Sequence, residues 1–185
     1  MATVNQVNVG LSGSTGSGSF VGNTSPTLTT PNIGAATGTS INFGGSTLSN
    51  YLQGTWTPTL TFATPGDLNV AYTTQTGVYT RIGDVVIAAF SLVCTPTFTT
   101  ASGQVMVAGL PINAAQTNDT GSLGAQSVGI TYPAGGTKMV FVTTSGAATL
   151  SFVVMGTTFA STAVTTTNVP TTVSVTLAGT IMYHV

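Results

Sequence analysis

The sequence predicts an all-β protein: a jelly-roll-like antiparallel β-sandwich over about residues 54–185, preceded by an extended arm over about residues 1–53. Three observations lead there. Charged residues make up 3% of the 185 residues, against roughly 25% in an ordinary soluble domain, and glutamate is absent. Threonine outnumbers even the 23 glycines; its branched Cβ favours extended backbone and its hydroxyl can face water. Apolar residues recur at period two in segment after segment, and no stretch carries the charged outer positions of an amphipathic helix.

Low charge also suits membrane spans and disordered chains, but both fit poorly. A span needs about 20 consecutive apolar residues, and the longest apolar stretch, Val85 to Cys94, is interrupted by Ser91. Disordered chains lack aromatic and β-branched residues, which are plentiful here. The chain is expected to fold and to stay in solution through hydroxyls and amides.

Along the chain, residues 1–53 contain no charged residue and only scattered large apolar ones. Val7, Val9 and Leu11 alternate with polar neighbours, as a strand on one apolar surface would. The segment cannot build a core alone and reads as an arm packed on other chains. From Gly54 the texture changes. Thr55–Phe62 places Trp56, Leu60 and Phe62 on one face, with Pro58 marking an edge strand. Pro65-Gly-Asp67 is a turn, and Val70–Ile82 reads as one or two strands punctuated at Gln75–Gly77. Gly83-Asp84 turns the chain into Val85–Thr95, the most apolar strand and the expected sheet centre. Gly103–Leu110 is the next strand, and 113–118 a loop. Ser122–Tyr132 and Thr137–Thr144 follow, joined by a turn at Pro133–Gly136. Thr149–Met155 and Thr171–Val185 complete about eight strands, the last with Val173, Val175, Leu177, Ile181 and Tyr183 in period two.

The inventory for chemistry is short. Asp67, Asp84, Asp119, Lys138 and Arg81 are the only fixed charges, so the net charge of −1 offers no basic patch for nucleic acid or anionic lipid. His184, the single histidine, reads as a strand-end side chain, and Cys94, the single cysteine, as a small buried hydrophobe that forbids an intrachain disulfide. The three aspartates occupy turn positions, so the carboxylate pair that glycoside hydrolysis uses would arise only by accident of folding. No cofactor, no metal site and no catalytic residue are expected. Trp56, Tyr51, Tyr72, Tyr79, Tyr132 and Tyr183 could stack sugars, but their alternating positions favour packing. The N-terminus, with neither a positive start nor an apolar core, carries no secretory signal, which suits synthesis in a cytoplasm.

Leu52-Gln-Gly-Thr-Trp-Thr-Pro-Thr-Leu-Thr-Phe62, Tyr72-Thr-Thr-Gln-Thr-Gly-Val-Tyr-Thr-Arg-Ile-Gly-Asp-Val-Val86 and Val107-Ala-Gly-Leu-Pro-Ile112 together resemble a module of tailed-phage tail-fibre and head-decoration (cement) proteins. Gly18 to Gly34 is similar to a connecting repeat of phage tail fibres. The resemblance covers most of residues 16–114 and brings no catalytic residue. It implies an intertwined homotrimer of β-sandwiches located in the virion, on the tail or the head surface. It further implies arm residues Phe20, Leu28 and Ile33 docked on other virion proteins, and distal loops near a host receptor or surface polysaccharide. A short trimeric tail fibre or adhesin contributing to host attachment is the first expectation. A capsid decoration protein, favoured by the shortness of the chain, is the second. A polysaccharide depolymerase and a non-viral surface lectin are remote.

Overall fold

A computed structural model of the chain describes residues 40–43, 46–119, 121–157 and 161–185. They belong to a compact unit, Gly38–Val185. Phe20, Leu28 and Ile33 lie outside the described residues. The strands are β1 (Ser40–Phe43), β2 (Ser46–Ser49), β3 (Leu52–Trp56), β4 (Thr59–Thr64), β5 (Asn69–Ile82) and β6 (Val85–Thr97). They continue as β7 (Ser102–Ala108), β8 (Gly121–Val128), β9 (Gly136–Thr143), β10 (Thr149–Gly156), β11 (Thr162–Ala163) and β12 (Val175–His184). One 3-10 turn at Thr166–Asn168 is the only helical element among the described residues.

β1 and β2 pair antiparallel by themselves, with Ser40 opposite Ser49. The other strands form two five-stranded sheets. The first runs β3-β5-β6-β12-β8, every pair antiparallel, and β6 sits at its centre as its apolar sequence predicts. The second runs β9-β10-β7-β4. Here β10 meets β7 only over Thr149–Ser151 and then diverges, and β11 fills the opening. Val105 N–H donates to the Val164 carbonyl at 2.8 Å and Val164 N–H to the Phe152 carbonyl at 2.9 Å, so the backbone groups exposed by the divergence find partners.

Period two aims one row of each strand at a shared core. On β6, Val86, Ala88, Leu92 and Cys94 are fully buried, as are Leu177, Ile181 and Tyr183 on β12. From the second sheet come Phe62, Val105, Val107, Phe141, Leu150, Phe152 and Val154. Phe90 and Phe141 close the gap between the sheets with ring centroids 5.4 Å apart, and Phe141 meets Phe152 edge-on at 5.0 Å. Each such side chain taken from water contributes about 1.5–3 kcal/mol, so the core is what holds this nearly uncharged chain together.

From β3 onward, consecutive strands stay in one sheet at β5–β6, β9–β10 and β10–β11 and change sheet at β3–β4, β4–β5, β6–β7, β7–β8, β8–β9 and β11–β12. Two of these crossings depart from the sequence expectation. Thr55–Phe62, expected as one strand, breaks at Thr57-Pro58, so Trp56 belongs to the first sheet and Leu60 and Phe62 to the second. Pro58 has no N–H to continue a ladder, and both β3 and β4 are edge strands. The turn at Pro133–Gly136 exists, with Gly136 N–H donating to the Pro133 carbonyl at 2.8 Å. It does not make a hairpin, because β8 and β9 lie in different sheets. The chain leaves β8 at Gly129, whose φ of 82° suits glycine and where a Cβ would sit 2.8 Å from the Ser174 carbonyl oxygen.

Candidate functional site

The three stretches that carry the family resemblance converge on one place, the crossing from β3 to β4. Trp56, the last residue of β3, turns its indole under the first sheet. Its Nε1–H lies 3.3 Å from the Val78 carbonyl oxygen and 3.2 Å from that of Ala89, and its ring meets Phe90 edge-on at 5.8 Å. The indole fits because residue 77, its cross-strand partner, is glycine: a Cβ there would lie 2.6 Å from Nε1. Gln75 Nε2 donates to the Pro58 carbonyl at 2.9 Å, fixing the break between the strands. Gly109, with φ of 94°, lets the end of β7 approach Thr57, whose carbonyl oxygen a Cβ would meet at 2.5 Å. Gly54 lies flat beneath the Tyr79 ring, and Arg81 Nε donates to the Gly83 carbonyl at 2.7 Å, bracing the β5–β6 turn. Trp56, Pro58, Gln75, Gly77, Gly109 and Arg81 thus each have a packing or backbone-bonding task, whereas Leu52, Val78 and Ile82 of the same stretches are exposed. Sequence reading had found the glycines and Trp56 separately, but the partnership of Trp56 with Gly77, 21 positions apart, is visible only in the register of β3 on β5.

The ionisable residues are mostly tied into turns. Asp67 holds the β4–β5 turn to the β6–β7 turn. Its carboxylate accepts from the Thr99 hydroxyl, from Thr100 N–H at 2.8 Å and from Thr99 N–H at 3.0 Å, which keeps its pKa far below the usual carboxylate range. Asp119 accepts from His184 N–H at 2.7 Å and faces His184 Nδ1 at 3.2 Å, pinning the end of β12 to the loop before β8. The sequence reading missed this pair, since 65 positions separate its members and no spacing signals it. No described serine or threonine hydroxyl hydrogen-bonds His184 Nε2. Asp84 sits in the β5–β6 turn, where its carbonyl accepts from Val185 N–H at 2.9 Å. Cys94 is buried as expected, and burial pushes its thiol up to about 11. Among the described residues no three metal-ligating side chains gather.

The aromatic residues pack rather than form a platform. Tyr183 is fully buried and donates to the Ile112 carbonyl at 3.0 Å, with burial pushing its pKa up to about 12. Tyr72 OH accepts from Leu60 N–H at 3.1 Å, and Tyr132 OH pairs with Ser127 Oγ at 2.9 Å. Of the six considered for sugar stacking, Tyr51 alone is exposed.

What the described surface does offer is apolar. Of nine exposed large hydrophobic residues, six lie on strands of the first sheet (Leu52, Val78, Ile82, Ile87, Val128 and Met182), and one, Met155, on the second. No protein-family model, curated protein or solved structure matches the chain.

Proposed function

We propose that this chain is a non-enzymatic structural protein of a tailed-phage virion, a short trimeric tail fibre or adhesin subunit contributing to host attachment. The observation that carries the reading is the convergence of the motif residues on the Trp56 crossing. The pattern shared with phage fibre and decoration modules serves to build a scaffold, with Trp56, Gly77, Gln75 and Gly109 closing one sheet onto the other. The jelly-roll-like description rests on the repeated changes of sheet between consecutive strands. The homotrimer rests on the resemblance and on a surface so poor in charge that burial against further copies is its simplest protection. In this reading the arm, with Phe20, Leu28 and Ile33, docks on other virion proteins, and loops of the sandwich meet a receptor or surface polysaccharide.

Immunogold labelling of intact particles, combined with an adsorption assay, tests it. Label on the tail and antibodies that block adsorption are expected. Label spread over the shell would make the protein a decoration protein, and release of reducing sugars from host polysaccharide by the purified chain would overturn the non-enzymatic assignment.

A further inference from the structure

The outer face of the first sheet is unusual for a surface. Cross-strand rows on β5, β6 and β12 read Val78-Ala89-Thr180 and Thr80-Ile87-Met182. Val78 is 56% exposed, Ile82 49%, Met182 41% and Ile87 39%, so this is an open apolar face rather than a rim of the core. None of the five fixed charges stands in these two rows; at the end of the face the row Ile82-Val85-His184 sets the His184 ring 3.2 Å from the Asp119 carboxylate. Asp67, Asp84 and Asp119 lie in turns and loops, Arg81 alternates to the other side of β5, and Lys138 is on β9 of the second sheet. Shallow depressions run along it, one lined by Val78, Tyr79, Thr80, Ile87 and Ala89.

The two sheets also differ in how their edges are guarded. The second has Lys138 on its outermost strand β9 and Pro58 at the entry to β4, both devices that discourage edge pairing. The edges of the first, β3 and β8, carry neither charge nor proline. β12 pairs with β6 along its ten residues. At ~3.3 Å per residue and ~4.8 Å per strand, the five-stranded face offers on the order of 800 Å², which is the share a standard interface takes from one partner. An occupant must be equally free of charge, since a charged partner would be desolvated here with nothing to pair with. A second copy of this chain, which brings the same uncharged rows, meets that requirement.

We infer that the outer face of the β3-β5-β6-β12-β8 sheet is the surface through which copies of this chain assemble, with Val78, Ile87 and Met182 at its centre. The inference rests on the self-assembly in the proposed function, and independently of it on the exposed rows. Light scattering on the full-length protein tests both. The wild type is expected at three times the 18.5 kDa chain mass, the Ile87→Asp variant at one chain mass, and Met155→Asp, a change on the other sheet, at the wild-type mass. A monomeric wild type overturns the self-assembly itself. A trimeric Ile87→Asp overturns only the choice of face. Should Ile87→Asp fail to fold, the Ile87→Cys variant keeps the question open to measurement. Cys94 is buried, so the introduced thiol reports alone. Maleimide labelling slowed at least about tenfold in the trimer supports the face, and labelling at the rate of a free thiol overturns it. Slow labelling in a monomer would assign the face to the chain's own arm and overturn the inference.

Discussion

Replacing Gly77 by alanine puts one methyl group where the structure has room for none. The added Cβ would meet Trp56 Nε1 at 2.6 Å and Cδ1 and Cε2 at 2.7 Å, about 1 Å inside the ~3.5–4.0 Å separation at which such atoms attract. The indole cannot simply retreat, because Phe90 lies against it and its N–H is committed to the carbonyls of Val78 and Ala89. Overpacking of this kind costs about 1–3 kcal/mol, and loosening the indole hydrogen bond adds about 1 kcal/mol. In a domain of this size each kcal/mol lowers Tm by about 2–4 °C, so the combined cost of about 2–4 kcal/mol is expected to bring the Gly77→Ala melt roughly 4–16 °C below wild type. Trp56 is the only tryptophan, so its emission follows the perturbed site directly and should shift to the red. Thermal melts followed by that emission, at matched protein concentration because assembly shifts Tm, make the assay. Gly83→Ala provides the comparison: there φ is 60° but no atom lies within 4 Å of the new Cβ, so only backbone strain of about 1–2 kcal/mol applies and the emission stays unchanged. Wild-type stability and emission in Gly77→Ala would refute the assignment of Trp56 as the anchor of the crossing.

Further outcomes follow from the buried and clamped groups. The Asp67 pKa is depressed from 3.8 by the Thr99 hydroxyl first and then the Thr100 and Thr99 amides. The stability it lends is therefore present above pH 3.8 and is lost as pH falls below it. Asp67→Asn should be less stable at neutral pH and show a flatter decline in urea melts below about pH 4. Cys94 and Tyr183 shift the other way, from 9.0 to about 11 and from 10.0 to about 12. The folded state holds their protons more tightly, so stability should fall from about pH 9 upward, and Tyr183→Phe should remove the upper part of that fall. Ellman's reagent should titrate no thiol in the native protein and one per chain in guanidinium. Gln75→Ala, which frees the Pro58 carbonyl, should cost about 1 kcal/mol in chemical denaturation.

Much of the sheet content was legible because it depends on local pattern. β6 and β12 could be read from runs of apolar residues and from period two, and the turn at Gly83 from its glycine, whose φ is 60°. Sheet membership was not legible. A period-two row through Trp56, Leu60 and Phe62 reads the same whether the strand continues or breaks at Pro58, since both sheets bury their inward rows in one core. β11, two residues long, exists to fill the divergence of β7 from β10 and has no pattern of its own. Apolar density located β6 at the sheet centre but did not tell which of its residues face out, and alternate ones such as Ile87 are open to solvent within the single chain. That excess of apolar surface is the one site signal the sequence carried without its location. The Asp119–His184 contact depends wholly on long-range folding and left no trace in spacing.

The number and place of copies on purified particles, by quantitative mass spectrometry with antibody labelling, tests the central claim most directly. A trimeric fibre predicts a small multiple of three, confined to the tail. Hundreds of copies over the shell, or none on the particle, would contradict it.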